Sequence, residues 1–251
     1  MDQNLSENNK FYGFGKALLM IGTLVTFVCG AFLLGVYKYE PTLMVASGMI
    51  ILFIGLVILL LGLLMVNVKD ECFFKASGWV YMSFGLVLFL LTIVRLSVIF
   101  EATSEVGFTL LLTPGFVLQV LAIALSFILN LVGVFLIFRG ITKILQDSGK
   151  EEASELIRSR WRMLRISGVF FLVMKIISVI SEPLWQEAMA KAKQLTGGDM
   201  SYAVGLTEEP FDISFFTNLS TVSGILTIIA AVWLAVSFLR IFIPVVKSWK
   251  D

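Results

Sequence analysis

Few side chains in this chain of 251 residues could do chemistry, and histidine is absent altogether. That omission removes zinc proteases of the HExxH type, bis-histidine haem centres, rhomboid-type Ser–His hydrolases and membrane proteases of the CAAX type, all of which depend on His. The pair Glu151-Glu152 superficially matches the paired glutamates of the last group, but it stands beside Lys150 and Arg158. It reads instead as a helix start, with carboxylates near the positive end of the dipole. Ser148-Gly149-Lys150 lacks the upstream glycine of a phosphate-binding loop and is followed by Glu151 rather than Ser or Thr. Asp199, Glu208, Glu209 and Asp212 offer oxygen ligands at spacings that fit no EF-hand, so a solvated acidic loop is the simpler reading. Cys29 and Cys72 fall at different levels, one deep in an apolar run and one in a polar connection, and no disulfide is expected. No catalytic, cofactor-binding or metal-ligating set emerges, and the chain is not expected to be an enzyme.

What remains is a handful of polar groups inside apolar runs. Lys175 lies ten residues beyond Arg165, which at ~1.5 Å per helical residue puts it ~15 Å deep, beyond easy snorkelling reach. A charge there costs at least ~2.5–3.5 kcal/mol, so the lysine should face the interior of a helix bundle, pair with something, or lose its proton. Gln119, Ser126, Asn130 and Gly133 recur on one face of the preceding run. Counted from Arg139, Asn130 sits ~13.5 Å deep and matches Lys175 in level. Arg95 lies six residues before Glu101, close enough to an interface to snorkel, with Glu182 and Gln119 near the same level. Lys175, Asn130, Ser126, Gln119, Arg95 and Glu182 thus form a candidate intramembrane polar network, which would serve either helix packing or a substrate or ion pathway.

The elements that must position these groups are six apolar runs. Hydrophobic residues make up 58% of the chain and charged residues 15%, against about 45–50% and 25% in soluble domains. A hydrocarbon core takes about 20 helical residues, and the candidate spans are 11–37, 43–66, 78–100, 114–138, 165–181 and 216–246. Continuous apolarity, as over Met49–Met65, argues against the alternation of a membrane barrel. The expected fold is all-α: a polytopic bundle of six transmembrane helices with a cytoplasmic amphipathic helix and a short outer helix. Residues 1–10 read as a flexible cytoplasmic tail, 11–251 as one membrane domain, 139–164 as a cytoplasmic helical linker and 182–215 as an outer loop. The first run is too long for a signal-peptide core.

Local signals sharpen the boundaries. Gly48, Gly55 and Gly62 recur at heptad spacing and Gly22, Thr26 and Gly30 every four residues, which suits close helix contact within the chain or between copies. Thr113-Pro114 reads as a cap followed by the first helical residue, with Phe108–Leu112 as an outer interfacial or re-entrant piece. Gly149 suits a left-handed helix terminus. In the amphipathic segment Glu151–Arg165, Ile157, Trp161 and Leu164 share one face and Arg158, Arg162 and Arg165 another. Arg158, Arg162, Arg165 and Trp161 are therefore a candidate surface for anionic lipid headgroups or a cytoplasmic protein partner. Pro183 is expected to end the fifth span and open a second, short helix that stops at Gly197-Gly198. Asn218-Leu219-Ser220 fits the glycosylation triplet but sits at the membrane edge. Glycines and prolines do not correspond between the two halves, so the mark of an inverted repeat is missing.

With the N-terminus inside, fourteen Lys and Arg residues fall on the cytoplasmic side and only Lys38, Lys191 and Lys193 outside. That asymmetry favours both termini in the cytoplasm and an even number of spans, while the outer face is net acidic. A compact polytopic chain without large ectodomains points to a prokaryotic plasma membrane, with the lipid bilayer as partner and no nucleic acid. The first functional expectation is a small transporter or permease subunit with a polar path among spans three to five. The alternative is a non-catalytic regulatory, immunity or assembly subunit that packs against a partner.

Overall fold

A computed structural model describes residues 2–36, 43–66, 71–101, 111, 113–195 and 213–250, with side chains described from 12 to 31, 48 to 66, 72 to 94, 113 to 190 and 217 to 248, and at 111 and 215. Its helices are α1 (Asp2–Val36), α2 (Leu43–Val66), α3 (Glu71–Glu101), α4 (Pro114–Asp147), α5 (Glu151–Leu195) and α6 (Ile213–Lys250). Each contains a stretch long and apolar enough to cross a membrane, and no strand occurs among the described residues. The chain is an all-α, multi-pass membrane bundle.

Helix ends follow local chemistry. Thr113 caps α4 by accepting a bond from Phe116 N at 3.3 Å, and Pro114 opens the helix where a missing N–H costs nothing. At the other end Gly149, at φ 76°, donates to Gln146 O at 3.0 Å while Lys150 N donates to Leu145 O at 2.8 Å. These two bonds are a Schellman motif, which turns the chain into α5 within a few residues.

Two boundaries differ from the sequence reading. Asp2–Lys10, expected to be a flexible tail, are the first turns of α1; adding turns to an existing helix avoids the costly nucleation step, so even a polar segment can extend it. Pro183 does not separate two helices either: α5 runs unbroken from Glu151 to Leu195 with the proline inside it. The ring removes one backbone bond, but packing continues beyond it, with Val179 and Ala188 buried on either side. The expected short outer helix is therefore the last part of α5. Its 45 residues reach ~68 Å, so it must project well past a ~30 Å hydrocarbon core. The connection with Pro41 and the acidic segment with Asp199, Glu208, Glu209 and Asp212 lie outside the described residues.

Consecutive helices pair as antiparallel hairpins. A Cβ on Gly22 would collide with the Leu59 backbone and one on Gly62 with the Leu19 backbone, while one on Gly15 would meet Met65 Cβ at 2.5 Å. The pairing index rises on one helix as it falls on the other, and the glycines let the α1 and α2 backbones touch. In the same sense Gly133 and Gly140 of α4 face Tyr81 and Phe74 of α3, and Ser181 and Met174 of α5 face Ser223 and Thr227 of α6. Alternating direction brings both chain ends, and Lys16, Lys75, Arg139, Lys143, Lys150, Arg158, Arg160, Arg240 and Lys247, toward one end of the bundle. That end is tied by Lys150 Nζ to Ser248 O at 3.1 Å and by Arg160 to the Arg240 carbonyl.

α4 is the central helix, packed on α1, α3, α5 and α6. An aromatic core joins them: Phe27 of α1 stacks on Phe238 of α6 at 4.4 Å, Phe238 on Phe138 of α4 at 6.0 Å, and Trp161 of α5 meets Phe138 edge-on at 5.8 Å. The outer surface is an apolar belt in which Ile50, Leu64, Leu86, Phe89, Leu121, Val169, Ile228 and Val232 are exposed, as lipid-facing side chains must be.

Candidate functional site

Two buried polar clusters cross the bundle. The first centres on Asn130, whose Nδ2 donates to the Thr26 carbonyl of α1 at 3.5 Å and whose Oδ1 accepts from the Tyr81 hydroxyl of α3 at 3.4 Å. Three helices thus meet at one amide. Close approach is built in, because Gly30 leaves room for the amide and Gly133, one turn further along α4, lies under the Tyr81 ring. Ser77 Oγ adds a bond to the Gly133 carbonyl at 3.2 Å. The Thr26 hydroxyl, beside the carbonyl that Asn130 uses, is buried and makes no hydrogen bond among the described residues.

The second cluster lies along the seam between α5 and α6. Lys175 is completely buried on α5, on the face that Gly168 and Phe171 turn toward α4, and Ser178 and Ser181 follow it toward the far end of the bundle and the α6 side. α6 answers with buried Ser220, Ser223 and Thr227, at i, i+3 and i+7 on one face. Ser181 and Ser223 share a hydrogen bond at 3.2 Å, and Thr227 Oγ1 reaches the Met174 carbonyl at 3.2 Å. From Lys175 to Ser181 the helix rises about 9 Å, and the half-buried Glu182 follows at the end away from the basic cluster. On the opposite, basic side of Lys175 the lining turns aromatic, with Phe127 of α4 against Phe171 of α5 at 5.3 Å and the stacked Phe27, Phe138 and Phe238 beyond.

The two clusters are not at one level. The Phe127–Phe171 contact sets the register of α4 against α5. Lys175 is four residues outward of it and Asn130 three residues inward, so the two stand about 10 Å apart along the bundle. Their expected depth match took Arg139 and Arg165 as marks of the same membrane face. Trp161 packs against both Phe135 and Phe138, at 5.1 and 5.8 Å, so Arg165 lies deeper than Arg139 and the count from it falls short of the depth of Lys175. Ser126, buried on α4, returns its hydroxyl to Ile123 O at 2.9 Å, and Gln119 is partly buried near the α4 start. The Arg95 and Glu101 side chains lie outside those described.

The surface expected on Glu151–Arg165 divides. Arg158, Arg162 and Arg165 are exposed, whereas Trp161 is buried between α4 and α5. Ile157, Trp161 and Leu164 are the face that docks α5 into the bundle, so the tryptophan is a core residue and not an interfacial anchor.

The α6 hydroxyls went unassigned from the sequence, although Ser220, Ser223 and Thr227 already had helical spacing. Small hydroxyls pass unnoticed in an apolar run, since each can bond its own preceding turn, as Thr227 does to Ser223 O at 2.7 Å. Both cysteines are free thiols. Among the described residues no group of acidic, His or Cys side chains could hold a metal ion. No family model matches the chain, and neither does any curated protein or solved structure.

Proposed function

We propose that this membrane protein is a small transporter or permease subunit, non-enzymatic, in a plasma membrane with both termini in the cytoplasm. The observation that carries the proposal is a fully buried lysine inside an apolar span, continued outward along α5 to the hydroxyls shared with α6 and closed inward by packed phenylalanines. A cation in an apolar span is costly, and such residues mark substrate or ion pathways, proton relays and ligand counter-ions. In this reading Lys175 attracts an anionic or zwitterionic solute, Ser178, Ser181, Ser223 and Thr227 replace its water, and the aromatic groups hold the inner side shut.

A second reading, an assembly, immunity or regulatory subunit acting through packing, is favoured by one observation. The seam hydroxyls already bond across the two helices, which suits a glued contact as well as a path.

Thiol accessibility separates the two. In a Cys29→Ala, Cys72→Ser background, Ser178→Cys and Ser181→Cys are exposed to membrane-impermeant anionic and cationic thiosulfonates in proteoliposomes, with lipid-facing Ile180→Cys as control. A path predicts labelling of both seam positions, faster with the anionic reagent, and loss of that charge preference in Lys175→Met. Seam thiols as inert as the control would sink the transport reading and leave the packing one.

A further inference from the structure

The basic end of the bundle carries a cleft of about 430 Å³ between α3, α4 and α5, separate from the α5–α6 seam. Arg139, Lys143 and Arg158 line it, together with Phe73, Phe135 and Trp161. The size is within the usual range for a small-molecule site, about 300–1,000 Å³. Two of the cations come from α4, and their neighbours hold them in place: the Arg139 guanidinium lies over Phe73 at 5.2 Å and over Phe135 at 5.9 Å, and Lys143 Nζ over Phe73 at 6.0 Å. Trp161, edge-on to Phe135 at 5.1 Å, forms an apolar wall.

We infer that this cleft binds the phosphate headgroup of an anionic phospholipid. Three cations converging on one cleft suit a phosphate, and the two arginines offer it paired donors. The surface below the cleft selects a lipid over a soluble phosphate. Phe135, Val132 and Ile128 succeed Arg139 along α4 at four-, three- and four-residue steps, all exposed, and make an apolar stripe toward mid-membrane. A phosphate held at Arg139 thus has a track for its acyl chain directly beneath. Arg162 and Arg165 belong to the exposed basic face of α5 but do not line the cleft.

The experiment is native mass spectrometry of the full chain in detergent, titrated with phosphatidylglycerol or with phosphatidylcholine of the same acyl chains. Wild type should retain phosphatidylglycerol at least tenfold more tightly. A well-placed cation at an anionic surface is worth about fivefold in affinity, so Arg139→Gln with Arg158→Gln should lose roughly 25-fold. The single Arg158→Gln, at an exposed position that folding does not need, should lose about fivefold and serves if the double variant fails to fold. Arg162→Gln should change nothing. Equal retention of the two lipids by wild type, or an Arg162→Gln loss as large as that of Arg158→Gln, would overturn the assignment. Displacement of the lipid by an equal concentration of glycerol 3-phosphate would also overturn it and give the cleft to a soluble phosphate compound.

Discussion

Replacing Gly133 by alanine tests whether the Asn130 cluster is held by close packing. The added methyl would stand 2.5 Å from Tyr81 Cε2, 2.7 Å from Cζ and 3.0 Å from Cδ2, whereas non-bonded carbons rest at about 3.5–4.0 Å. Tyr81 is completely buried, so its ring cannot swing clear and α3 must yield by about 1 Å. Overpacking of this kind costs about 1–3 kcal/mol, and the displaced hydroxyl also forfeits its bond to Asn130, worth about 0.6 kcal/mol in a membrane interior. The expected loss is about 2–3 kcal/mol relative to Gly78→Ala, a helical glycine on α3 with nothing within 4 Å of its would-be Cβ, which cancels the propensity gain of alanine. Unfolding in mixed micelles with rising dodecyl sulfate, followed by helicity, gives the number. A Tyr81→Phe cycle isolates the hydrogen bond: it should cost about 0.6 kcal/mol in wild type and almost nothing beside Gly133→Ala. The reasoning fails if Gly133→Ala and Gly78→Ala are equally stable, or if Tyr81→Phe costs the same in both backgrounds.

Other positions give simpler expectations. In the first hairpin, Gly22→Ala should destabilise by about 1–3 kcal/mol relative to Gly13→Ala, because the methyl at 22 meets the Leu59 backbone while the one at 13 has open space and only adds helix propensity, as the same unfolding titration would show. Gly149→Ala places a Cβ at φ 76° and should cost about 1–2 kcal/mol, part of which Gly149→Asn restores; equal melting of both with wild type would refute the Schellman turn as a structural requirement.

The span count, the antiparallel first hairpin, the Thr113-Pro114 start of α4 and the Gly149 turn were all legible without coordinates. Each is decided within a few residues: a hydrophobic length against the bilayer, a capping hydroxyl, a position that only glycine occupies cheaply. The glycine spacing of the first two spans was equally local, since a helix fixes which residues share a stripe, though the choice of partner helix was not.

Other features depended on how whole helices slide and rotate against one another. Pro183 is a strong local stop signal, yet packing on both sides of it carries α5 through. Lys175 is buried, as its cost in lipid demands, but it does not stand level with Asn130. Depth counted from arginines assumes that each emerges at the same height, and ring contacts such as Phe127–Phe171 and Phe138–Trp161 set a different register. The amino-acid sequence by itself determined that six helices cross a membrane and which of their polar groups are expensive there, because hydrophobicity and capping act over single residues and turns. Tertiary structure alone decided that Asn130 joins α1, α3 and α4, that Ser181 and Met174 meet Ser223 and Thr227 in the α5–α6 seam, and that Arg139 and Arg158 face one cleft, because helix register is a property of packed surfaces and not of any one segment.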